Sequence, residues 1–317
     1  MDSDGCYRPR VRMKMLTDAQ RQDREMALGS SDAPIVCGVS TYGTPWTLYQ
    51  KMIGAVPRYD DEETWEQQIG SLIEPVIAEV VAQREGWKVR RIPVKTHARY
   101  PWMVAHLDYE IVSHPRGPGI LELKRRQKTF SVLPDDIRIQ VAHQLAVTNR
   151  DWAKVAVLFH WGPPVVFDVE RDQALEEALI SLESQFMERV QAGNPPPMEY
   201  AAQESAILRQ LYPQDNGQVL TLDSEEAKAH WQALVTARAG LAEAETAKEQ
   251  AQAWFQAQMA DAASVTVPGC GSITWKSSKG SSKFDQKRFE AEHPDLAKQY
   301  YALTAGSRRF LVKGGKE

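Results

Sequence analysis

Cysteine is scarce in this sequence: Cys6, Cys37 and Cys270 are odd in number, far apart and form no CxxC pair. That spacing excludes a disulfide framework, a zinc ribbon and a cysteine-ligated iron–sulfur cluster, and leaves three isolated thiols. Long apolar runs are also missing. The longest are short and interrupted by charge, so no transmembrane helix is expected. The N-terminal stretch MDSDGCYRPRVRMKMLT lacks the apolar core of a signal peptide, and a cytoplasmic location is the expectation. No Walker-type phosphate loop precedes a helix, which argues against ATP-driven unwinding by this chain.

What is present is an ordinary globular composition over 317 residues, 43% apolar and 25% charged, enough to bury one large core or two smaller ones. The net charge of −4 is unevenly spread. Residues 84–128 hold 11 basic against 4 acidic side chains, and residues 276–317 hold 10 against 5, so the remainder is strongly acidic. Phosphate backbones respond to such local patches, within a Debye length of about 10 Å, rather than to net charge. The same residues equally suit ordinary solvated faces.

Hydrophobic periodicity divides the chain. Residues 17–29 read as a helix capped by Thr17 and stopped by Gly29, and a shorter helix runs from Thr44 or Pro45 to Met52. Over 62–85, Trp65, Ile69, Leu72, Ile73, Val76, Ile77, Val80 and Val81 recur at helical spacing. Strands follow at 87–92, 103–108, 110–112 and 119–124, then a helix over 135–148. The nearly continuous apolar run 152–160 reads as a buried strand with a hairpin partner at 165–169, and 171–191 as a further helix. This order predicts an α/β sandwich around a mixed sheet, spanning 17–192 after an N-terminal tail of residues 1–16. Pro195-Pro196-Pro197 opens a connection over 193–223. A long helical arm is expected over 224–262, poor in apolar residues and rich in Ala, Glu, Gln and Lys, and a small basic α+β module over 263–317.

Chemistry concentrates between Ala105 and Lys124. Side chains alternate along a strand, so Glu122 and Lys124 share one face while Leu121 and Leu123 take the other. A hairpin through His114-Pro115-Arg116-Gly117-Pro118-Gly119 would bring Asp108 to the same place. Two carboxylates beside one lysine suit a divalent metal with a water activator, the apparatus of phosphodiester hydrolysis. The triplet taken alone fits an ion pair on an exposed strand edge equally well.

Five motifs in order carry a resemblance. Gly29-Ser30-Ser31-Asp32-Ala33, Gly70-Ser71-Leu72-Ile73-Glu74-Pro75, Leu107-Asp108, Leu121-Glu122-Leu123-Lys124 and Gln140 to Thr148 resemble those of YqaJ-type viral recombinases. These belong to the lambda-exonuclease branch of the PD-(D/E)XK nuclease superfamily. The resemblance covers roughly residues 17–190 and implies a restriction-endonuclease-like core, a central mixed sheet flanked by helices. It implies that Asp108, Glu122 and the Leu123 carbonyl ligate Mg²⁺, or Mn²⁺ in its place, and that Lys124 orients or deprotonates the attacking water. By the same resemblance Glu74 completes the carboxylate set, Gln140 lies beside it, and Arg24 and Ser31 hold the 5′ phosphate of a DNA end. Read from the residues alone, Ser31 and Asp32 also suit a helix cap, and Gln140 and Gln144 a solvated helix face.

The implied activity is 5′-to-3′ exonuclease resection of double-stranded DNA ends. The implied partners are such ends, a single-strand-annealing protein and further copies of the chain, as a trimer, in phage or prophage recombination. An endonuclease of the same fold and a non-catalytic DNA-binding scaffold are the alternatives. The interleaved basic and aromatic residues of the last segment, among them Trp275, Phe284, Phe289 and Phe310, suit single-strand stacking, a partner protein or a small core of their own.

Overall fold

A computed structural model describes residues 26–59, 64–160, 162–302, 306 and 308–313. Strand β1 (Leu28–Gly29) leads into the short helix α1 (Ala33–Val36) and then α2 (Pro45–Met52). Thr44 starts α2 because its hydroxyl accepts from the Thr47 amide while Thr47 Oγ1 accepts in return, and Pro45 has no amide to satisfy there. The helix expected over 17–29 lies largely outside the described residues, and its expected end is not helical. Leu28–Gly29 is held in extended form by parallel pairing with Met103–Val104, so tertiary pairing sets the local conformation there.

Helix α3 (Trp65–Glu85) begins at a capping box between Thr64 and Gln67 and ends at Gly86, whose φ of 69° favours a residue without Cβ. Pro75 sits inside it and leaves the Ser71 carbonyl without its helical donor. Two-residue strands β2 (Val89–Arg90) and β3 (Lys95–Thr96) precede β4 (Met103–Ala105), β5 (Tyr109–Ile111) and β6 (Gly119–Arg126). The strand expected over 103–108 ends at Ala105, and residues 106–108 lie between two sheets without belonging to either. Met103–Ala105 lies between β1 and β3, and the chain leaves that sheet before Asp108, so the hairpin partner of β6 is β5.

Helix α4 (Asp135–Thr148), strand β7 (Trp152–Phe159), strand β8 (Val165–Glu170) and helix α5 (Gln173–Ala192) complete the core. The main sheet runs β2-β5-β6-β7-β8, antiparallel except for the parallel pair β6–β7. Its two faces have different covers. Ile77, Ala78 and Val81 of α3 pack on Leu121, Leu123, Trp152, Ala156 and Leu158. Ile137, Val141 and Leu145 of α4 pack on Ile120, Ala153, Val155 and Val157. Because β7 is buried on both faces it reads as a continuous apolar run rather than an alternating one. Each such Leu or Ile contributes about 1.5–3 kcal/mol of burial. Gly119 is required by close approach, since a Cβ there would stand 2.4 Å from the Trp152 ring.

Within the range expected to be a connection, helix α6 (Ala202–Leu211) packs into the first unit, which ends at Pro213. Its Glu204 Oε1 accepts from the Thr44 hydroxyl at 2.7 Å, and its Ile207 packs with Trp46 and Val56. The second unit contains α7 (Glu225–Met259), the hairpin β9 (Ser264–Val267) and β10 (Gly271–Thr274), and the short helices α8 (Gln286–Glu292) and α9 (Pro294–Gln299). Helix α7 is one uninterrupted rod of 35 residues whose single buried side chain among the described residues is Met259. Its stability therefore rests on local propensity and length more than on core packing.

Candidate active site

The alternation of β6 sends Ile120, Glu122 and Lys124 to the sheet face covered by α4, and Leu121 and Leu123 to the α3 face. Glu122 is therefore not on an exposed edge: it is 2% exposed. A buried carboxylate is costly without partners, and this one has three. Lys124 Nζ donates to its Oε1 at 2.5 Å, Gln140 Nε2 donates to the same oxygen at 2.8 Å, and Gln144 Nε2 donates to Oε2 at 2.7 Å. Both glutamines come from α4, where a spacing of four residues puts them on one face. The structure thus brings Gln140 to Glu122 and adds Gln144, which reads from sequence as solvated face but is fully buried.

Asp108 reaches the same place from the antiparallel partner. Tyr109 pairs with Leu121, and Asp108 directly precedes that pair in the bend leading into β5. Its Oδ2 accepts from the Leu123 amide at 2.8 Å. Burial, and then the Glu122 and Glu74 charges, hold the Asp108 carboxyl well above the usual carboxylate range against the opposing pull of Lys124 and the Leu123 amide. For Lys124, burial works against the charged form, but Glu122 and Asp108 outweigh it and the ammonium is held above its ordinary value.

Glu74, on α3, acts on this group through its charge, which is felt by both Asp108 and Arg91. Arg91 was not singled out from sequence. Its Nε donates to the Tyr109 hydroxyl at 3.3 Å and its guanidinium stacks over that ring. It places a cation on the strand edge beside the carboxylates.

The Gly29–Asp32 turn adjoins the site through Ser30, whose Oγ lies 3.5 Å from Gln144 Nε2. Ser31 is exposed on that turn, and Arg24 lies outside the described residues. Asp32 stands at the start of α1 but does not cap it. Its Oδ2 turns back to accept from the Gly29 amide at 2.9 Å and from Arg58 Nη2 at 2.8 Å, and Arg58 also donates to the Ala27 carbonyl. The turn is held by an internal salt bridge.

Among the described residues no three Asp, Glu, His or Cys side chains form a ready cluster for a metal. The donors on hand are two carboxylates and backbone oxygen, and their chemistry fits a hard cation. Lys124 forms its salt bridge with Glu122, and Asp108, raised first by burial and then by the Glu122 charge, is a carboxylate whose negative charge a bound divalent ion would offset. A carboxylate offers four lone-pair directions. Three of those on Glu122 are taken by Lys124, Gln140 and Gln144, which leaves one, on Oε2.

Residues 20–151 match the YqaJ-like viral recombinase domain, a span that contains all the residues above. The match bears out the resemblance read from the five motifs. Over 311 residues, 95% of each chain, the sequence is 25% identical to the YqaJ protein of Bacillus subtilis (strain 168). Among solved structures, an alkaline exonuclease from Laribacter hongkongensis aligns at 18% identity and a TM-score of 0.48, covering 61% of this chain and 100% of that one. A phage-related exonuclease from Haemophilus somnus 129PT aligns at 12% identity and a TM-score of 0.40, covering 53% and 96%.

Proposed function

We propose that this chain is a metal-dependent deoxyribonuclease, acting as a 5′-to-3′ exonuclease on double-stranded DNA ends to expose a 3′ strand for annealing. One observation carries the reading. Within the YqaJ-like region, Glu122 is buried against Lys124, Gln140 and Gln144 while Asp108 is pinned beside it by the Leu123 amide. A structural ion pair needs neither the second carboxylate nor two glutamines.

In this reading Asp108, Glu122 and the Leu123 carbonyl hold Mg²⁺, with Mn²⁺ as a substitute, and Glu74 adds negative charge from α3. When bound, the ion acts as a Lewis acid on the scissile phosphate and lowers the pKa of coordinated water. The protein's own groups do the rest. Lys124 Nζ, beside Glu122, orients or deprotonates the attacking water and helps offset the charge that develops on the phosphate. Gln140 fixes the carboxylate that faces the substrate. Arg125, exposed at the end of β6, meets the backbone of the incoming strand. Ser31, on a turn braced by Arg58, takes the terminal 5′ phosphate together with Arg24.

The proposed partners are DNA ends, an annealing protein that coats the exposed strand, and further copies of the chain, three by family resemblance, for processivity. Among the described residues no helix is long and apolar enough to cross a membrane, and we place the enzyme in the cytoplasm, with the DNA of a phage or prophage.

The test is digestion of linear duplexes, with 5′-phosphate or 5′-hydroxyl ends, beside covalently closed circles. Mg²⁺-dependent loss of the linear 5′-phosphorylated duplex, with circles intact, supports the reading. Nicking of closed circles makes the enzyme an endonuclease, and DNA binding without hydrolysis makes the chain a scaffold.

A further inference from the structure

Gln144 lies within the Gln140–Thr148 motif of α4, yet the resemblance assigns it no role. Its side chain is completely buried, and its Oε1 has no hydrogen-bond partner within the described residues. Leaving a buried carbonyl unsatisfied destabilises the fold, and a Leu or Met would fill the same volume without that cost. The amide therefore serves something other than packing. Its orientation is fixed by chemistry: turned over, Oε1 would stand 2.7 Å from Glu122 Oε2, acceptor against acceptor.

The two glutamines are not equivalent. Gln140 shares Glu122 Oε1 with Lys124, and that oxygen is fully subscribed. Gln144 holds Oε2, the oxygen that keeps the one remaining lone-pair direction. The second N–H of the same amide points to Ser30 Oγ, next to the exposed Ser31. We propose that Gln144 is a positioning residue: it fixes the plane of the Glu122 carboxylate so that Oε2 presents its free lone pair to the metal, and it ties that carboxylate to the Gly29–Asp32 turn. The proposal rests on the metal-site reading above, and outer partners of metal ligands typically change affinity by about 10–100-fold when removed.

The experiment is calorimetric titration of Mn²⁺ into the full chain without DNA, for wild type, Gln144→Met and Glu122→Gln, with thermal melting of each. Met keeps the length and volume and removes the donor. The expected result is an Mn²⁺ dissociation constant raised about tenfold or more in Gln144→Met, in a protein that still melts cooperatively, at a lower temperature than wild type because Glu122 Oε2 has lost a donor. Its nuclease activity should also recover as Mn²⁺ is raised, a response that a folding defect would not give. Should Gln144→Met not fold, Gln144→Asn, which withdraws the amide by one methylene, is read in the same way. An Mn²⁺ affinity within about twofold of wild type in these variants, while Glu122→Gln loses binding, overturns the proposal and leaves the metal site standing. No Mn²⁺ binding by wild type, or equal binding by Glu122→Gln, overturns the metal site itself and the proposal with it.

Discussion

The Leu123 amide donates to Asp108 Oδ2 over 2.8 Å, so the aspartate is fixed to the strand that carries Glu122 and not only to its own. Two carboxylates are thereby held together by backbone geometry, and burial, followed by the neighbouring Glu122 charge, holds the Asp108 carboxyl well above the usual range. A group whose folded-state pKa is raised favours the folded state only while protonated. That contribution is complete below the unfolded value near 3.9 and is lost as pH rises through the folded one.

Asp108→Asn should therefore raise the melting temperature of chelator-treated protein at neutral pH while lowering nuclease activity about 10³-fold or more, as loss of a principal electrostatic group does. Differential scanning calorimetry in chelator, beside a nuclease assay in Mg²⁺, checks both halves. A variant that is both destabilised and active would contradict the assignment.

Gln140 should behave as a partner of the carboxylate. Gln140→Ala leaves Glu122 Oε1 with Lys124 alone, and turnover should fall by about 10–100-fold with DNA binding nearly unchanged. Single-turnover hydrolysis and gel-shift titration separate the two effects.

His143, on the same helix, predicts a pH dependence of stability. Its Nε2 meets the Val104 carbonyl at 2.9 Å and its Nδ1 meets Glu183 Oε1 at 2.8 Å, with both side chains fully buried. Both ring nitrogens face acceptors, which selects the imidazolium. Burial opposes the charge, but Glu183 and the Val104 carbonyl outweigh it and the pKa is raised. The stabilisation is thus complete below the unfolded value of about 6.5 and disappears as pH rises through the folded one. Glu183→Gln should cost about 3 kcal/mol near pH 6 and flatten the stability profile between pH 6 and 9. Urea unfolding across that range is the measurement.

Arg58 braces the turn that carries Ser31. Arg58→Ala removes donors to Asp32 and to the Ala27 carbonyl and should cost about 2 kcal/mol of stability. Rates on 5′-phosphorylated and 5′-hydroxyl duplexes should converge by about tenfold, the equivalent of about 1.4 kcal/mol. An unchanged ratio would remove this turn from end recognition.

Helix α4 and strands β6 to β8 were legible because their apolar spacing and their surroundings agree: buried faces on both sides of β7, a regular stripe on α4. Leu28–Gly29 was not, since a two-residue strand is defined by its partner at Met103–Val104 rather than by its own sequence. The break before Asp108 is of the same kind, as alternation continues through it while the pairing changes sheet. At the site, the approach of Asp108 to Glu122 and Lys124, and the place of Gln140 beside Glu122, could be read from motif order. Gln144 could not, because polarity at that position suggests solvent, and only the fold reveals that the solvent is replaced by the Glu122 carboxylate. Its distance of four residues from Gln140 was the available signal.

Hydrolysis of DNA by the Asp108–Glu122–Lys124 group with a bound divalent ion stands or falls on one assay. It is tested most directly by release of acid-soluble nucleotide from linear duplex DNA, as Mg²⁺ is titrated, by wild type, Glu122→Gln and Lys124→Ala. The account predicts saturable, Mg²⁺-dependent release by wild type and losses of about 10³-fold or more in both variants at every Mg²⁺ concentration. Release by either variant at the wild-type rate, or wild-type release that is indifferent to chelator, would contradict it.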